Sequence, residues 1–180
     1  MNIPRDDAAS ALASIERTRR ISDTLRGYAH AGDIVAAWGL VWLVCNSLTY
    51  FYPVWGPNSW PVGIVLASIW SVLRGRKGRG DPPGWRAAAT AATTIGLLVL
   101  VALITGVEGP AQANALISIF VAAAYVWTGI WAGSRFAFVG LFIAAMVVMG
   151  WFVDREHLYL WMGIGGGGAL LLTGLWLRRA

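Results

Sequence analysis

Six stretches of the chain contain no Asp, Glu, Lys or Arg: residues 34–52, 57–73, 87–107, 114–132, 136–153 and 158–177. Each is close to the about 20 apolar residues that a helix needs to cross a bilayer. Inside hydrocarbon the backbone polar groups find no water, and a helix satisfies them within a single segment. The composition agrees. Hydrophobic residues make up 57% and charged residues 13% of the 180, whereas soluble domains usually carry about 25% charge.

What separates the runs fixes which way the chain faces. Residues 74–86, RGRKGRGDPPGWR, hold five cations (Arg74, Arg76, Lys77, Arg79 and Arg86) against one acid, Asp81. Short loops with such an excess stay on the cytoplasmic side. Of the fourteen Lys and Arg, five lie before residue 34, five in this loop, and the others are Arg135, Arg155, Arg178 and Arg179. Six crossings with both termini cytoplasmic leave only Arg155 outside. Tryptophans near both expected boundaries, among them Trp55, Trp60, Trp151 and Trp161 on one side and Trp70, Trp85, Trp131 and Trp176 on the other, form the aromatic belts of an interface.

The expectation is therefore an all-α integral membrane protein of the cytoplasmic (inner) membrane, with six transmembrane helices and both termini inside. Residues 1–33 read as a cytoplasmic arm with one helix from about Asp7 to Arg26, resting on the bundle or lipid surface or else meeting a partner. The arm lacks the apolar run of a secretory signal. Asp33 is expected to cap the first span. The second span, counted from Trp60 to Leu73, covers only about 21 Å at 1.5 Å per residue.

Three tandem helical hairpins are a further option. Gly39, Gly96 and Gly140 each precede a leucine in the odd spans, and the even spans close on Trp70, Trp131 and Trp176 with an arginine shortly after. Gly-Leu pairs and inward-ending Trp-Arg pairs also arise by chance.

Net charge of +5 and a pI near 10 point to anionic lipid and not nucleic acid, because the basic residues sit between apolar runs. Cys45 stands alone, so neither a disulfide within the chain nor a cysteine cluster for metal can form. His30 and His157 fall on opposite sides and cannot share a metal or haem. Residues 163–168 contain a literal G-x-G-x-x-G, but a nucleotide site needs a strand before it. Gly163, Gly165, Gly166, Gly167 and Gly168 instead suit close helix packing or a helix break of the kind that exposes backbone in transporters.

No ionisable group lies inside a run, which argues against proton coupling. The candidate intramembrane polar site is Asn46 with Ser47 and Thr128, either as interhelical hydrogen bonds or as part of a solute path. No catalytic motif, cofactor site or metal site is expected. The function expected first is non-enzymatic: assembly with itself or a protein partner through the arm and the basic loop, whose five cations also suit anionic lipid. A small uncoupled transporter or channel with a neutral path near Asn46 and the glycine run is the alternative.

Overall fold

The computed structural model describes residue 16 and residues 31–78 and 85–178. The arm other than Glu16 and residues 31–33, together with Arg79 and the side chains of Arg76, Lys77 and Arg86, lies outside the described set. Every regular element among the described residues is helical. Six helices follow in order: α1 (Ala31–Phe51), α2 (Ser59–Gly78), α3 (Trp85–Thr105), α4 (Pro110–Ala132), α5 (Ser134–Val153) and α6 (Arg155–Arg178). Of these, α1, α4, α5 and α6 are long and apolar enough to cross a membrane.

Local chemistry sets the ends. Gly56–Asn58 forms one 3-10 turn before α2, and the Ser59 hydroxyl donates to the Gly56 carbonyl at 2.6 Å. α2 then runs through Arg74 to Gly78, so its 20 residues reach about 30 Å. The short second span expected from Trp60–Leu73 is thus a full-length helix. Long basic side chains can ride on a helix end while their charges reach water. Pro110 occupies the first turn of α4, where its missing N–H leaves no helical bond unmade. Gly133, at φ 130°, makes the turn between α4 and α5, a backbone that L side chains rarely adopt.

The helices meet through small residues. α1 and α6 run antiparallel, and a Cβ added at Gly167 would lie 2.6 Å from the Leu43 nitrogen and 3.0 Å from the Gly39 oxygen. Further along, one added at Gly174 would come 2.6 Å from the Gly32 oxygen. Their backbones touch. α4 and α5 pack in the same way, with Gly140 facing the Ala122 carbonyl and Val126. Where glycines meet a neighbouring backbone, the closest approaches join α1 to α6 and α4 to α5. The repeat positions also differ in surroundings, since Gly39 is enclosed while a Cβ at Gly96 would meet nothing within 4 Å.

One end of the bundle is tied by charge. Asp33 lies inside α1 instead of capping it, and its carboxylate pairs with Arg74 at 3.2 Å and Arg178 at 3.0 Å. Three helix ends converge there. Arg74 also lies over the Trp70 ring, 4.9 Å from its centroid.

Candidate functional site

At the opposite end, two cavities adjoin between α1, α2, α4 and α6. The inner one has a volume of about 190 Å³ and is lined by Trp42, Thr49, Trp60, Asn114, Ser118 and Tyr159 among others. The outer one, about 540 Å³, shares Thr49, Pro57, Pro110 and Tyr159 with it and adds Glu108, Gln112 and Arg155. Together they form a funnel narrowing from charged groups to an aromatic and amide floor.

Asn114 of α4 lines the inner cavity and is bonded to a second asparagine that lies behind it on α1. Asn46 of α1 is fully buried; its Nδ2 donates to the Trp42 carbonyl at 2.9 Å. Its Oδ1 accepts from Asn114 Nδ2 of α4 at 2.7 Å. The Ser118 hydroxyl, one turn further along α4, donates to Asn114 Oδ1 at 3.4 Å. Thr49 turns its hydroxyl back onto the Cys45 carbonyl at 2.7 Å. Buried amides left unmatched are costly, so this chain of bonds fixes α1 against α4. Asn114 is only half-buried and lines the inner cavity.

The glycine run closes the floor from the other side. Gly163 sets α6 beside Asn46: a Cβ there would come 3.1 Å from the Asn46 Cβ and 3.4 Å from the Leu43 oxygen. Gly167 meets Leu43, a Cβ at Gly166 would lie 3.3 Å from the Trp42 ring, and Gly165 faces the Met146 sulfur. A Cβ at Gly168 would meet nothing within 4 Å. The run is not broken; Trp161–Gly167 is wound as a π-helix and continues directly into the α-helix Gly168–Arg178. Such widened turns are frequent at functional sites.

The three residues expected as one polar site part company. Ser47 follows Asn46 on α1 and approaches Gly163. Thr128 is exposed on α4, donating to the Ala124 carbonyl at 2.8 Å, and does not line the funnel. Asn114 takes its place. Its role was hidden because the fourth span was expected to start at residue 114, whereas the helix starts at Pro110 and carries Asn114 a turn inward. Pro110 following Gly109 was the available signal.

At the turn between α5 and α6, beside the funnel, Asp154 Oδ1 lies 2.7 Å from His157 Nδ1, and Trp161 Nε1 donates to Asp154 Oδ2 at 3.1 Å. The hydrogen bonds from His157 and Trp161 hold the Asp154 carboxyl below its usual range. The bond to Asp154 and that carboxylate's charge raise His157. Arg155 lies over the Trp151 ring at 4.0 Å. Among the described residues, no three or more His, Cys, Asp or Glu gather as metal ligands would.

The fold and site define a helical bundle with several apolar helices and, at one end, a mostly apolar cavity that reaches Asn114 and Ser118. Comparison with protein-family models, curated proteins and solved structures finds no match to this chain.

Proposed function

We propose that the protein is a non-enzymatic, six-span protein of the cytoplasmic membrane that takes a small neutral solute into the funnel from the outer face. The single observation behind this is Asn114, which lines the inner cavity among mostly apolar residues and is bonded from behind by the buried Asn46. Orientation follows from charge: the end bearing Asp33, Arg74 and Arg178 faces the cytoplasm with both termini, and the end bearing Glu108 and Asp154 faces out. A cavity of about 190 Å³ is smaller than the about 300–1,000 Å³ of drug-sized sites. It suits a compact molecule that donates and accepts hydrogen bonds without charge, since no ionised group reaches the floor. The burial of Asn46 behind Asn114 supports an uncoupled carrier open to the outer face over an open channel.

Thermal-stability measurements on detergent-purified protein with urea, small amides and small polyols test this. A solute that raises the melting temperature of the wild type but not of Asn114→Leu supports the site. If all of these solutes shift both proteins equally or not at all, the solute proposal fails.

Assembly is the second reading, and α3 favours it. Its side chains are exposed on every side along most of its length, with Ile95 62%, Leu100 52% and Ile104 75% exposed. Chemical crosslinking in membranes tests this: a specific dimer captured through cysteines placed on α3 supports it, and exclusive recovery of monomer overturns it.

A further inference from the structure

A third cavity, separate from the funnel, runs along the outside of the bundle between α5 and α6. Its volume is about 480 Å³. Gly165, Gly168 and Ala169 form a floor almost without side chains, while Phe138, Ile164 and Leu172 stand as walls, 70%, 65% and 69% exposed. Small residues in the floor and large ones at the edges make a trough open to the surroundings. Arg135 lies at one end, its guanidinium 4.2 Å from the centroid of the Trp176 ring. That stack uses the face of the guanidinium and fixes its charge at the trough mouth.

We infer that this trough is a binding site for an anionic phospholipid of the cytoplasmic leaflet, its phosphate on Arg135 and one acyl chain lying over Gly165, Gly168 and Ala169. Two features carry the assignment together. Apart from Thr173 the lining is apolar along the trough, and it is cationic only at its mouth, the charge order of a lipid with a negative headgroup. The length also fits: from Trp176 to Ile164 the helix rises about 18 Å at 1.5 Å per residue, close to the about 15 Å from headgroups to midplane. Basic pockets between helices on the cytoplasmic side are known to hold anionic headgroups in this way, and a guanidinium presents its donors to phosphate as a planar fork. The inference rests on the membrane orientation proposed above but not on the solute site. It also differs from the general attraction of residues 74–86 to anionic lipid, because it places one lipid in one trough.

The test is native mass spectrometry of the detergent-purified full chain, with added phosphatidylglycerol compared with phosphatidylcholine of the same acyl chains. The wild type is expected to hold one phosphatidylglycerol about fivefold more strongly than phosphatidylcholine, the factor that one basic contact at an anionic surface gives. Arg135→Gln should abolish that preference and Arg135→Lys should restore part of it. Gly168→Leu should remove the bound lipid while leaving lipid-free melting unchanged, because a Cβ there meets nothing within 4 Å. Equal retention of both lipids by the wild type, or undiminished preference in Arg135→Gln and Gly168→Leu, overturns the site. A chain that stays monodisperse without any detergent would overturn the membrane reading beneath it, and the two failures are therefore distinguishable.

Discussion

Helices α3 and α6 are both apolar, both carry glycine, and occupy opposite situations. α6 lies between α1 and α5 with Gly163 and Gly167 turned to one and Gly165 to the other. α3 stands at the margin, and its Gly96 has open space where a side chain would project. Glycine in a membrane helix therefore records a close approach only where another backbone fills the space that its missing side chain leaves. The neighbour decides what the residue is worth.

Matched substitutions along the two helices test whether that difference holds. The largest effect is expected at Gly167→Leu, where the added carbon meets the α1 backbone and no flexible side chain can yield. Overpacking costs about 1–3 kcal/mol and occasionally more, and this position should reach the upper end, seen as lost monodispersity in size-exclusion chromatography and a lower melting temperature. Gly96→Leu, the matched change on α3, should leave both unaltered; an equal loss there would show that α3 is packed more closely than its surroundings indicate.

Asn114→Leu is next. An interhelical side-chain bond within a membrane is worth about 0.6 kcal/mol on average and up to about 1.7. The variant should lose about that much in unfolding measurements, and a double-mutant cycle with Asn46→Leu should recover the coupling. Asp33→Asn weakens two ion pairs at the other end. Such pairs near water contribute about 0–1 kcal/mol, so the drop should be smaller and should shrink further in high salt.

The smallest effect is at the turn between α5 and α6. His157 titrates higher in the folded protein than in the unfolded one, so its contribution is complete below the ordinary imidazole range and fades as pH rises through the raised value. Asp154 titrates lower when folded, so its contribution is complete above the ordinary carboxylate range and fades as pH falls through the lowered value. Between about pH 4 and 6.5 both act, and the difference in melting temperature between wild type and Asp154→Asn should peak there. A difference independent of pH would remove the pair from the account.

The helical bundle was legible because uncharged runs and charged turns alternate so regularly. Helix ends were less so. Arg74 looks like the start of a loop, yet it continues α2, because its side chain can reach Asp33 from a helical backbone. The candidate site was half visible. Asn46 stood out as a lone amide within an apolar run, but its partner Asn114 depends on which face of α4 meets α1, and that is set by packing far apart in sequence. The same holds for the glycine run: its composition announced close packing or a break, while the assignment of each glycine to α1, to α5 or to an open trough required all three helices in place.

The most direct measurement is labelling with a membrane-impermeant thiol reagent on intact cells, using Asn114→Cys in a Cys45→Ser background. Residue 114 is expected to react from outside, down the funnel, and Arg178→Cys in the same background only after the membrane is opened. Labelling of residue 178 from outside, or of residue 114 only after opening, would contradict an outward-facing polar floor.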